Sequence, residues 1–84
     1  MKIKNSLEWQ TVRQEFKEQI LKLPYDASIR QMLKNIDVMV TDLSRTEVEA
    51  RRTKASYYRD EKLSKVNEAI ESLDKIIVIG ILLM

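Results

Sequence analysis

Residues 51–59, Arg51-Arg52-Thr53-Lys54-Ala55-Ser56-Tyr57-Tyr58-Arg59, carry four positive charges, no negative ones and two adjacent tyrosines. Basic groups interleaved with aromatic rings suit a phosphate backbone with base or sugar contacts. The plainer alternative is a solvated helix face with Tyr58 packed on a neighbour. Across residues 45–65 there are seven basic residues against four acidic, a local charge of +3. The rest of the chain holds eight basic and nine acidic residues, or −1, so the positive charge is concentrated in this one stretch.

Other chemistry is poorly served. The chain has no His and no Cys, which removes the usual acid–base group at neutral pH, thiolate metal ligands and disulfides. Its serines and threonines have no activating base at a telling spacing, and one glycine cannot build a phosphate-binding loop. No calcium-loop pattern or Glu-x-x-His pattern occurs. The expectation is a non-enzymatic protein without cofactor or metal.

The elements that must position the basic stretch are helical. Pro24 and Gly80 are the only proline and glycine, so residues 25–79 lack both strong backbone punctuators. Trp9, Val12, Phe16, Ile20 and Leu23 step by three or four and place a first helix at about 6–23. Asn5 and Glu8 stand in a capping-box relation at its start, and Pro24 ends it. Asp26 can cap a second helix at about 26–43, with Ile29, Met32, Leu33, Ile36, Met39, Val40 and Leu43 as its apolar stripe. Ser44-Arg45-Thr46-Glu47 then reads as a new capping box, flanked by Leu43 and Val48 as a hydrophobic staple. A third helix is therefore expected over 44–79, with one uninterrupted helix through Ser44 as the alternative.

A helix over 44–79 would be ~54 Å long, whereas a compact domain of this size is only about 30 Å across. Either it breaks again, near 56–61, or it projects and a partner chain covers it. Glu47–Arg51, Glu61–Lys65 and Glu71–Lys75 are well-oriented i,i+4 pairs on both sides of that gap. Leu63, Val66, Ile70, Leu73 and Ile77 follow coiled-coil spacing, and the same register run backwards meets Arg59, Ser56, Arg52 and Glu49. This seam is the expected surface for self-association.

Residues 76–84 carry no polar side chain. They are too few to span a membrane, which takes roughly 20 such residues. Burial against the other helices or across a dimer interface is expected, with a short β-strand as the alternative.

These readings combine into an all-α protein, residues 1–84 forming one antiparallel bundle of three helices, or four if the last one breaks. A chain of 84 residues has a marginal core, and without disulfides self-association into a homodimer is expected to stabilise it. With no secretory signal at the N-terminus, the expected location is cytoplasmic. The leading functional expectation is a regulatory or inhibitory module that binds another protein. Its working surface would include Arg45, Arg51, Arg52, Lys54, Tyr57, Tyr58 and Arg59. A second reading is a nucleic-acid-binding regulator using the same residues, in one version a helix-turn-helix presenting Arg45, Thr46, Glu49 and Arg52. A third docks the apolar tail at a membrane, as an immunity-type protein would.

Overall fold

The computed structural model describes residues 1–53 and 56–84. A 3₁₀ turn at Ser6–Glu8 leads into α1, Trp9–Leu21. Asn5 Oδ1 accepts from the Glu8 N–H at 3.3 Å, and Glu8 Oε1 accepts from the Lys4 N–H at 2.7 Å. The Asn5 amide oxygen and the Glu8 carboxylate thus satisfy backbone donors at the helix start. Ahead of Pro24 the Lys22 and Leu23 N–H groups turn to the Gln19 and Ile20 carbonyls, closing the helix tightly.

Asp26 starts α2, Ala27–Thr53, its Oδ1 accepting from the Ser28 N–H at 2.8 Å and the Ile29 N–H at 3.4 Å. The boundary expected between Leu43 and Ser44 does not form. Leu43, Thr46 and Ala50 are all buried, so the inward face of α2 runs straight through the capping signal. Tertiary packing overrides the local preference. Ser44 Oγ donates instead to the Thr41 carbonyl at 2.7 Å. The Glu47 carboxylate is used elsewhere, accepting from both the backbone N–H and the hydroxyl of Ser6. A helix-turn-helix through this point is corrected for the same reason.

The expected 44–79 helix is likewise replaced: α2 ends at Thr53 and α3 spans Tyr57–Leu82. The chain reverses between them. Lys62, early in α3, reaches Asp42 and Thr46 of α2, each at 2.9 Å. Gly80, late in α3, lies against Leu23, just before the start of α2. The two long helices are therefore an antiparallel hairpin, and α1 packs on its lower half.

One core joins the three helices. Trp9, Phe16 and Ile20 of α1 meet Ile29, Leu33, Ile36, Val40 and Leu43 of α2 and Val66, Ile70, Leu73 and Ile77 of α3, with Ile3 added from the N-terminal segment. The seam expected to join two copies is thus consumed inside one chain. Phe16, Leu43, Ile70, Leu73 and Ile77 are 0% exposed, and Leu63 is partly buried against the same cluster. At ~1.5–3 kcal/mol per fully buried aliphatic side chain, opening this seam to a partner would cost a large part of a small protein's ~5–15 kcal/mol of stability. Within the folded chain Val66, Ile70, Leu73 and Ile77 are enclosed by the shared core, and Leu63 packs against it.

The N-terminal segment straps the hairpin. Ile3 N–H donates to Asn67 Oδ1 at 2.8 Å, and Asn67 Nδ2 donates back to the Ile3 carbonyl at 3.0 Å. Met1 lies farther down α3, its amino group 3.9 Å from Asp74. Residues 1–5 therefore climb α3 toward the hairpin end, and α1 descends again from beside Glu47. The result is a rod of 49 × 18 × 14 Å with a radius of gyration of 14.1 Å, longer than the ~12 Å of a compact chain of this size.

The tail is helix with little cover from its own chain. Residues 76–82 continue α3 as helix, not strand, yet most are not buried. Only Ile77 among residues 76–84 is fully enclosed, while Leu82 and Leu83 are 78% and 82% exposed. The end of α3, opposite the reversal between the long helices, has only the segment after α1 beside it, too little to cover a helix that is apolar on every side. Among the described residues no helix is long and apolar enough to cross a membrane.

Candidate binding surface at the hairpin end

Because α1 begins opposite Glu47 and runs away from the hairpin turn, the last two turns of α2 and the first of α3 lack a third helix. This is where the basic stretch falls. Arg45, Arg51 and Arg52 of α2 and Tyr57, Tyr58 and Arg59 of α3 are all exposed. Lys54 lies outside the described residues. The turn thus brings the two halves of the sequence motif to one end of the rod.

Arg45 and Arg52 are seven residues apart, two helical turns, and share the outward face of α2 with Val48 between them. Val48 is 52% exposed. Arg51 points to a neighbouring groove of about 330 Å³, which Lys4, Asn5, Glu47, Arg59, Asp60 and Leu63 also line. The Tyr57 and Tyr58 rings meet edge to face, centroids 5.6 Å apart at 76°.

Pairing separates these arginines from the others. Arg13 is held by Asp37 through Nε at 2.8 Å and Nη2 at 3.0 Å, and Arg30 lies over the Tyr25 ring at 4.9 Å. Arg59 shares Asp60 Oδ1 at 3.0 and 3.2 Å. Arg45, Arg51 and Arg52 have no hydrogen bond, ion pair or ring contact among the described residues. Half of the six arginines are therefore uncommitted, and two of them, Arg51 and Arg52, sit in the last turn of α2. Cations there also face the negative end of the α2 dipole, a placement worth about 0.3–1 kcal/mol to the helix, so part of their presence is structural.

A second polar cluster lies on the side of the rod. Asp37 Oδ1 accepts from Trp9 Nε1 and from Arg13 Nε, each at 2.8 Å. The hydrogen bond to Asp37 raises the Arg13 guanidinium further above its ordinary range. Ser6, Gln10, Thr41 and Ser44 complete a groove of about 520 Å³ here. Its charged groups satisfy one another, which makes it a lock between α1 and α2 rather than a site with a free reactive group. No period or motif in the sequence points to this triad. Among the described residues no cluster of three or more acidic side chains gathers where a cation could be held.

Comparison with known proteins finds no family model, no curated protein and no solved structure that matches this chain.

Proposed function

We propose that this chain is a non-enzymatic, cytoplasmic binding module whose hairpin end docks on an acidic face of another protein. The observation that carries the reading is the trio of unpaired arginines, Arg45, Arg51 and Arg52, beside two exposed tyrosines. Arg and Tyr are the residues that most often anchor protein interfaces, the first by forked hydrogen bonds to carboxylates and the second by large, rigid contact area. Val48 between Arg45 and Arg52 adds an apolar contact at the centre of the stripe.

The test is capture from a nuclease-treated lysate by the full chain and by the double variant Arg45→Gln/Arg52→Gln. Both positions are exposed, so the variant keeps its helical circular dichroism. The expected result is a captured protein lost at least tenfold with the variant. Equal capture by both proteins would end this reading.

A nucleic-acid partner is the second reading, favoured by the same guanidinium groups next to aromatic faces on which bases could stack. It predicts affinity for short DNA or RNA that falls steeply with salt and is weakened alike for every sequence when Arg51 or Arg52 is neutralised. Absence of binding at low ionic strength removes it.

A further inference from the structure

The opposite end of the rod carries a second surface that the hairpin end does not explain. Ile76, Val78 and Ile79 and every residue from Ile81 to Met84 are between 38% and 82% exposed. They lie on the last turns of α3 and the two residues that follow it, so their exposed areas are contiguous. A groove of about 300 Å³ joins Leu83 and Met84 to Leu23, Pro24 and Tyr25, and Tyr25 is 76% exposed. Single exposed apolar residues are ordinary, but a joined patch beyond ~300–600 Å² is unusual for a lone soluble chain.

We infer that this apolar end is the contact between two copies of the chain, docked tail to tail. The inference is independent of what the hairpin end binds. Three features select a second copy. The exposed part of residues 76–84 is on the order of 800 Å², which is what each partner contributes to an interface of standard size. Its composition is that of an interface centre, with no charge from Ile76 to Met84 and the exposed Glu71–Lys75 pair, 3.5 Å apart, on the rim.

Charge decides against the other occupants. The charged groups next to the patch are Lys22, Arg30, Lys75 and the Met1 amino group against Asp26, Glu71 and Asp74, a near balance of the two signs. A nearly balanced rim lets the same surface meet itself without strong repulsion, as a two-fold contact requires. A bilayer would select the cationic collar that anionic headgroups attract, and this chain holds its excess positive charge at the far end. Two copies joined this way carry their hairpin ends at opposite extremes, where like charges are farthest apart. Two rods of 49 Å overlapping by two helical turns would reach ~90 Å.

Sedimentation equilibrium of the full chain from 1 to 200 μM tests this, with small-angle scattering for length. The expected result is a mass rising to twice 9.9 kDa with a maximum dimension near ~90 Å. Leu82→Glu and, separately, Ile79→Lys should weaken association at least tenfold with unchanged circular dichroism. Arg45→Gln/Arg52→Gln should leave it unaltered. A chain that stays monomeric throughout the range overturns the inference, as does a dimer indifferent to both tail variants. Co-sedimentation with vesicles of three parts phosphatidylcholine to one part phosphatidylglycerol, lost in Leu82→Glu and without self-association, would assign the patch to lipid instead.

Discussion

Ser44 Oγ donates to the Thr41 carbonyl at 2.7 Å, three residues back inside an unbroken helix. An N-cap serine would instead turn its oxygen forward to accept from backbone N–H groups. The two roles respond oppositely to alanine. A cap lost costs ~1 kcal/mol, whereas alanine within a helix gains a few tenths of a kcal/mol in propensity and frees the carbonyl. Ser44→Ala is therefore expected to raise the urea midpoint slightly. A drop worth ~1 kcal/mol would restore a helix start at this residue.

Asp37 ties α1 to α2 through both Trp9 and Arg13. The Arg13 and Asp37 side chains are 31% and 34% exposed, so water screens the pair and its coupling stays near ~0.5–1 kcal/mol. A double-mutant cycle with Arg13→Ala and Asp37→Ala should return that value and shrink in 1 M salt. Trp9 is the only tryptophan, so the emission of Asp37→Ala should shift as its indole N–H loses its acceptor. Unchanged emission would show that the indole is held by packing alone.

Gly80 faces Leu23 closely: an added Cβ would meet Leu23 Cδ2 at 3.2 Å and Cδ1 at 3.4 Å. Those atoms end a flexible, partly buried side chain, which can yield by a few tenths of an ångström. The helical preference of alanine over glycine, ~0.4–1 kcal/mol, then outweighs the crowding. Gly80→Ala should raise the melting temperature by ~2–8 °C. A lower melting temperature would mean that Leu23 cannot move.

Asn67 satisfies both backbone polar groups of Ile3 with one side-chain amide. Asn67→Asp keeps an acceptor for the N–H but sets a second oxygen against the carbonyl. Asn67→Ala leaves both groups unpaired beside a buried isoleucine, at a cost of ~1–3 kcal/mol. Amide exchange at Ile3 should accelerate at least tenfold in either variant while α2 stays protected. If exchange at Ile3 is unaffected, apolar packing of its side chain alone holds the segment.

The helical faces were legible because a period of three to four residues states which side of a helix is apolar whatever covers it. Trp9, Phe16 and Ile20, and Ile29, Leu33, Ile36, Val40 and Leu43, are buried as that period requires, with Met32 and Met39 partly so. What the period does not state is who does the covering. The Leu63 to Ile77 stripe reads the same whether α2 or a second chain lies against it, and the reversal before Tyr57 assigned it to α2. Ser44 to Glu47 misled for a related reason. A capping box is a local pattern, and Glu47 found a stronger use with Ser6, distant in sequence. The basic stretch was visible as composition, but that Arg45, Arg51 and Arg52, among the arginines, lack partners among the described residues depends on where α1 starts. The Asp37 triad and the Asn67 clasp left no trace, since a single polar residue carries no period.

The clasp between Ile3 and Asn67 also imposes an order on synthesis. Ile3 leaves the ribosome before its partner, which is made 64 residues later, a delay of ~3–13 s at usual elongation rates. Until then an isoleucine destined for the interior waits in water. The nascent chain can pair α1 with α2 early, but Ile3 finds its clasp only after α3 has been made as far as Asn67, the final stitch over a hairpin already closing.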